Sequence, residues 1–170
     1  MVGTRGSERV SRIGASASPE LPAGRGSDAW PREGWTMKTH STMTLPSVRD
    51  VLAPDGSEVR VLLSLAGGGM AHFLLPAGEV ARAVHHRTVE EIWYVLSGEG
   101  EMWLSANGCG EIARLSSGTC LTIPAGNIFQ FRSTGNGPLT VIAVTMPPWP
   151  GDGEAEIVRG KWQPTVGGGR

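Results

Sequence analysis

Two side chains that could carry acid-base chemistry lie five residues apart in the sequence. His86 and Glu91 both lie in GEVARAVHHRTVEEIWYVLSG, residues 78–98. A carboxylate near an imidazole raises the pKa of the imidazole and fixes its orientation, whereas apolar surroundings oppose its charging. The balance predicts a histidine that gains or loses a proton near neutral pH, as general acid-base catalysis requires. His86 and Glu91 are therefore the candidate catalytic residues.

Aromatic and aliphatic side chains near this pair predict a pocket for a planar or lipophilic molecule. Side chains alternate between the two faces of a strand, so Glu91 and Trp93 share one face and Glu90 takes the other. The candidate substrate-binding residues are Val84, Trp93, Trp103, Phe129, Phe131 and His72. Large aromatic side chains mostly supply buried surface, so a purely structural role stays open for Trp93, Trp103 and Phe131.

Seven short apolar runs, separated by turn residues, predict the strands that must position these side chains. They lie at residues 59–65, 70–76, 90–98, 100–106, 120–124, 128–133 and 139–146. The runs are of strand length and enriched in Val, Ile, Thr and aromatic residues, and none has the long 3.6-residue period of a helix. Seven strands at this close spacing predict an all-β sandwich or small barrel.

Residues 78–98 and 118–133 resemble the two motifs of the cupin superfamily, G(X)5HXH(X)3–4E(X)6G and G(X)5PXG(X)2H(X)3N. The matching residues are Gly78, His86, Glu91, Gly98, Gly118, Pro124 and Gly126. The resemblance covers roughly residues 45–150. It implies an all-β double-stranded β-helix, which is a jelly-roll barrel with a pocket inside.

The resemblance also implies a divalent-metal site, and here the sequence departs from the family. The four ligand positions fall on Val84, His86, Glu91 and Phe129. Valine and phenylalanine have no lone pair to offer, whereas a first-row metal takes three or four protein ligands. His85 or His72 could supplement the pair, although neighbouring strand residues point to opposite faces and His85 would need a bulge. A weak site for Fe, Mn, Ni or Zn at His86 and Glu91 stays an alternative.

The composition limits the class of protein. The chain has 170 residues, enough for one ordinary domain, and its 25 Gly and 12 Pro favour turns over long helices. A net charge of −1 provides no basic field for nucleic acid. No apolar run approaches the roughly 20 residues that span a bilayer or suggests a signal peptide. Cys109 and Cys120 form no CxxC pair and fit a reducing compartment, so we expect a cytoplasmic protein without membrane or nucleic-acid partners.

The chain divides into a central domain and two tails. Residues 1–36 are a Gly, Ser, Pro and Arg mixture that predicts a disordered tail, and Met37 is one possible natural start. Residues 37–163 are the predicted cupin-like barrel with wrapping terminal segments, and residues 164–170 a flexible tail.

Two tryptophans near the C-terminal end bear on assembly. Trp149 and Trp162 stand in segments rich in Pro and Gly, and we expect them to wrap the barrel exterior or a neighbouring subunit. Cupins of this size are often dimers, so the sequence predicts a homodimer.

Three functions fit these residues. The preferred one is a small-molecule-binding cupin that acts as an enzyme, with His86 and Glu91 transferring protons in an isomerase, epimerase, cyclase or lyase reaction. The second is a metal-dependent cupin enzyme, a dioxygenase or phosphomannose-isomerase-like protein with non-standard ligands. The third is a non-catalytic pocket for a sugar or another metabolite.

Overall fold

The computed structural model describes residues 40–167, and every element in this range is a strand. The predicted N-terminal tail, residues 1–36, and the possible start at Met37 lie outside the described residues, as do residues 168–170. The strands are β1 (Val51–Leu52), β2 (Glu58–Leu65), β3 (Gly68–Leu75), β4 (Val84–His86), β5 (Glu90–Ser97), β6 (Glu99–Ala106), β7 (Cys109–Ser116), β8 (Cys120–Ile123), β9 (Ile128–Ser133), β10 (Leu139–Met146) and β11 (Ala155–Ile157).

The strands form two antiparallel sheets that pack against each other. One sheet has the order β1-β2-β3-β10-β5-β8 and the other β11-β4-β9-β6-β7. Trp93 of the first sheet meets Phe129 and Phe131 of the second edge-on, with ring centroids 6.2 and 5.0 Å apart. Every second residue of β5 and β10 is buried, as the alternation predicts. The predicted all-β jelly roll is confirmed.

The predicted strands correspond to β2, β3, β5, β6, β8, β9 and β10. Strand β7 was not predicted, because its sequence CGEIARLS carries little apolar alternation. It forms an edge of the second sheet and is exposed over most of its length, so it needs few apolar residues.

The C-terminal segment contacts the barrel as far as Val166, which is further along the chain than the sequence predicts. The backbone N–H groups of Thr165 and Val166 donate to the carbonyl oxygen of Val80 at 3.0 and 3.3 Å, and the Thr165 hydroxyl bonds the carboxylate of Glu79. Val166 also packs against the hydrophobic core. Thr165 and Val166, which the sequence analysis placed in a flexible tail of residues 164–170, are thus held against the barrel.

Trp162 wraps the outside of the second sheet, as expected. Its backbone N–H donates to the side-chain carbonyl of buried Gln130, and its own carbonyl accepts from the Gln130 amide, at 2.8 Å each. The guanidinium of Arg132 lies 4.4 Å from the centre of the Trp162 ring. These contacts fasten the segment after β11 to β9.

Two expectations drawn from composition can be compared with this structure. Cys109 and Cys120 are both free and exposed, so they form no disulfide with each other. Across residues 40–167 we find no helix with the length and apolar character that a membrane crossing requires.

Candidate functional site

A cavity of about 470 Å³ lies between the two sheets. This volume is within the range of small-molecule sites. Its wall is mainly apolar and includes Val59, Phe73, Val84, Trp93, Phe129 and Trp149. The polar side chains that reach it include Asp55, His86 and Glu91.

His86 and Glu91 meet in this cavity from opposite sheets. His86 ends β4 in the second sheet, and Glu91 lies near the start of β5 in the first. Their side chains are buried, with 5% and 2% of their surfaces exposed. The Nδ1 atom of His86 lies 3.9 Å from Oε1 of Glu91, which is too far for a hydrogen bond, and it has no other partner. Both atoms are therefore free to contact one atom of a bound molecule.

The carboxyl group of Glu91 titrates near neutral pH. Burial raises the pKa of Glu91 to about 7, against the opposing effect of a hydrogen bond from Trp93. That bond joins Nε1 of Trp93 to Oε2 of Glu91 at 2.7 Å. The nearby carboxyl of Asp55 raises the pKa further. At pH 7 Glu91 is thus divided between its acid and its carboxylate form.

His86 behaves differently from the sequence-based expectation. Burial lowers the pKa of His86 to about 4; the charge of Glu154 opposes this effect and His85 adds to it. Edge-on contacts with Phe129 and Trp149, at ring distances of 5.0 and 5.1 Å, make its surroundings apolar. The expectation that a neighbouring carboxylate keeps this imidazole titrating near neutral pH is wrong, because desolvation dominates. The group that titrates there is Glu91.

Three of the predicted substrate-binding residues line the cavity, and these are Val84, Trp93 and Phe129. Phe131 belongs to the same hydrophobic core but does not reach the cavity, and its ring packs edge-on against Trp93. The prediction of substrate contact is corrected to a core position for Phe131.

Trp103 faces away from the cavity. Its neighbour Met102 is fully buried in the core, so strand alternation turns Trp103 to the opposite face of β6. There its indole lies so close to Gly110 of β7 that a Cβ at that glycine would overlap it. The predicted substrate contact of Trp103 is therefore wrong.

His72 also lies outside the cavity. Its neighbours Ala71 and Phe73 line the cavity, and His72 takes the other face of β3, beside Arg60 of β2. Burial and the charge of Arg60 lower the pKa of His72. The prediction that His72 binds substrate or supplements a metal site is thus corrected.

The donor atoms of this site do not fit a divalent metal. His85 points away from His86, as strand neighbours do, and its Nε2 lies 3.7 Å from a Glu156 carboxylate oxygen. Of the four predicted ligand positions, Val84 and Phe129 supply no donor, which leaves His86 and Glu91. Within residues 40–167 no group of three or more His, Cys, Asp and Glu side chains has the arrangement of a metal site. Three or four protein ligands are the usual requirement.

Two residues of the site, Asp55 and Trp149, were not predicted from the sequence. Asp55, in the turn between β1 and β2, is buried, and its Oδ1 accepts hydrogen bonds from the Ser57 backbone N–H and hydroxyl at 2.7 and 2.6 Å. Burial raises the pKa of Asp55. Its sequence, APDGSE, is typical of a solvent-exposed turn. Trp149, expected on the barrel exterior, instead lines the cavity beside His86 with 42% of its surface exposed.

The sequence is similar to one protein family and to an uncharacterised relative. The family described as Cupin domain matches residues 71–145. An uncharacterised protein of Methanocaldococcus jannaschii is 29% identical over 119 residues, which cover 67% of this chain and 91% of that protein.

Two solved structures share the fold. An uncharacterised conserved protein with a double-stranded β-helix domain from Klebsiella pneumoniae aligns with a TM-score of 0.52 and 19% identity, over 66% of this chain and 91% of the other. KdgF from Halomonas sp. aligns with a TM-score of 0.50 and 20% identity, over 58% and 86%. Identities at this level show the common fold alone.

Proposed function

This chain is a member of the cupin superfamily, and from that premise we propose that it catalyses a proton transfer on a small molecule bound in its cavity. One observation carries the proposal. Glu91, a buried carboxyl whose pKa is raised to about 7, lies 3.9 Å from an unpartnered nitrogen of buried His86. Isomerisation, epimerisation, cyclisation and elimination are the reaction types that such a pair serves.

The two side chains have different roles in this proposal. Trp93 holds Oε2 of Glu91, which leaves Oε1 to remove a proton from the bound molecule and later to return it. His86 is neutral at pH 7, and its Nδ1 accepts a hydrogen bond from the bound molecule, which orients that molecule for the transfer. The apolar wall excludes water and strengthens both interactions.

Exchange of hydrogen for deuterium tests this role without a known reaction. A thermal-shift screen first identifies a small molecule that binds, and NMR then follows its uptake of deuterium from D2O in the presence of the full chain. We expect Glu91→Gln to slow this exchange by roughly a hundredfold or more. The matched control is Glu90→Gln, because Glu90 is the exposed neighbour on the other face of β5. Exchange at the normal rate in both Glu91→Gln and His86→Ala would reject the proposal.

The other functions considered from the sequence have less support. A metal-dependent dioxygenase or phosphomannose-isomerase-like enzyme needs three or four grouped donors, and the part of the chain that the structure describes contains no such group. A non-catalytic binding protein is the outcome if a bound molecule exchanges no protons. The homodimer and the cytoplasmic location stay predictions; the exposed Ile92, Tyr94 and Leu96 on the outer face of β5 would suit a second copy.

A further inference from the structure

Within residues 40–167, acidic side chains line the cavity but no lysine or arginine does. Asp55, Glu91 and the exposed Asp152 are among its lining residues. Arg82 lies near Asp55, but its guanidinium is engaged by the carbonyl oxygens of Pro54 and Val166, at 3.3 Å each. A carboxylate or phosphate in the cavity would thus meet carboxyl groups without a compensating cation.

The unpartnered nitrogen of His86 gives a second, independent indication of the ligand. Buried polar atoms almost always have a hydrogen-bond partner, so we expect the bound molecule to provide one for Nδ1. A nitrogen about 2.9 Å from both Nδ1 of His86 and Oε1 of Glu91 could donate a hydrogen to each. An ammonium group has enough hydrogens for both, whereas a hydroxyl group has only one.

The aromatic wall suits the same class of ligand. The rings of Phe73 and Trp93 are stacked, with centroids 5.7 Å apart and planes inclined by 22°. Phe129 and Trp149 flank His86 on the same cavity. Aromatic rings attract cations and bury apolar carbon, so they can hold both the charged and the apolar part of an organic cation.

We propose that the cavity takes an organic ammonium ion, a primary amino group on an apolar or aromatic body, whose N–H groups donate to His86 Nδ1 and Glu91 Oε1. Asp55 supplies the second acidic group that faces the charge. The inference rests on the proposed function for the identity of the site and adds the class of its substrate. Pairing with the cation favours the carboxylate form of Glu91.

Titration calorimetry on the full chain at pH 7 tests this inference with three matched probes, which are 2-phenylethylamine, 2-phenylethanol and phenylacetate. We expect the amine to bind roughly tenfold or more tightly than the alcohol, and phenylacetate to bind more weakly than either. Because Glu91 is about half protonated at this pH, the amine should release up to about half a proton per site, seen by comparing buffers of different ionisation enthalpy.

Variants distinguish specific binding of the amine in the cavity from non-specific binding elsewhere on the protein. Glu91→Gln should weaken the amine by roughly tenfold, abolish the proton release and leave the alcohol unchanged. Asp55→Asn, which keeps an acceptor for Ser57, should also weaken the amine selectively and serves if the first variant does not fold. Glu90→Gln should behave as the unmodified chain because Glu90 is exposed on the opposite face.

Three results would overturn the inference. They are equal or tighter binding of the alcohol or of phenylacetate, no binding of the amine to the folded chain, and amine affinity unchanged in both acidic-site variants. The proposed function is tested separately, because loss of deuterium exchange in Glu91→Gln with a non-amine ligand would support the catalytic pair while refuting the ammonium class.

Discussion

Replacing Glu91 by glutamine should change how the stability of the fold depends on pH. Burial raises the pKa of Glu91 from 4.5 to about 7, so the folded protein holds this proton more tightly than the unfolded chain does. Stability from this group is fully present below pH 4.5 and is lost as the pH rises through 7. The difference between the two pKa values corresponds to about 3 kcal/mol, a large part of the 5–15 kcal/mol typical of a folded domain. Glutamine cannot ionise and keeps an acceptor for Trp93.

The assay is urea denaturation at closely spaced pH values between 4.5 and 8. The free energy of unfolding of Glu91→Gln minus that of the unmodified chain should rise by about 3 kcal/mol over this range. Other titrating groups contribute equally to both proteins and largely cancel in the difference. Glu90→Gln, exposed on the neighbouring position, should give a nearly constant difference. A constant or falling difference for Glu91→Gln would refute the claim that this carboxyl is desolvated.

Three further predictions concern the same barrel. Burial lowers the pKa of His86 from 6.5 to about 4. The stability that this group contributes is therefore present above pH 6.5 and is lost as the pH falls toward 4. In acid denaturation curves, His86→Asn should remove this loss of about 3 kcal/mol. Glu154 accepts hydrogen bonds from two backbone N–H groups, at 2.7 Å each. Glu154→Ala should therefore lower the free energy of unfolding in urea by about 2–4 kcal/mol, and the control Glu156→Ala by less than about 0.5 kcal/mol. Equal losses in the two variants would contradict a structural role for these hydrogen bonds. Val84 and Phe129 are directly paired across β4 and β9. The double variant Val84→His with Phe129→His should therefore bind about one equivalent of Ni²⁺ or Zn²⁺ in calorimetry. Equal binding by the unmodified chain would contradict the claim that its site has too few donors for a metal.

Strand positions were predictable because local patterns specify them. In β5 buried and exposed residues alternate, so Glu91 and Trp93 share the inward face, although the residue types in EEIWYVLS do not themselves alternate. The turn glycines and apolar runs likewise place most of the other strands within a residue or two of their observed ends.

The sequence does not predict which of two adjacent strand residues points inward when both are large and apolar. Met102 and Trp103 are adjacent in β6, and nothing local decides which of them enters the core. His72 lies between Ala71 and Phe73 and is itself buried on the face of β3 away from the cavity, so burial does not mark the cavity face. Alternation specifies that one of two neighbours is buried, and the packing of the opposite sheet decides which.

The cavity residues that loops contribute were not predictable for a different reason. Asp55 and Trp149 reach the cavity through loops whose sequences contain turn formers and no signal of their direction. The protonation of His86 and Glu91 also depends on the interatomic distance of 3.9 Å and on burial, and neither is encoded by residue type. Had the two groups been hydrogen bonded, the imidazole pKa would have been held up rather than lowered.

The central claim is that a neutral histidine faces a carboxyl group that titrates at neutral pH. A carbon-13 NMR titration that follows the side-chain carboxyl carbon of Glu91 measures this directly, with Glu91→Gln to assign the resonance. We predict a midpoint near pH 7, with His86 still uncharged at pH 6. A midpoint at the ordinary value near 4.5, with His86 protonated at pH 6, would contradict the account.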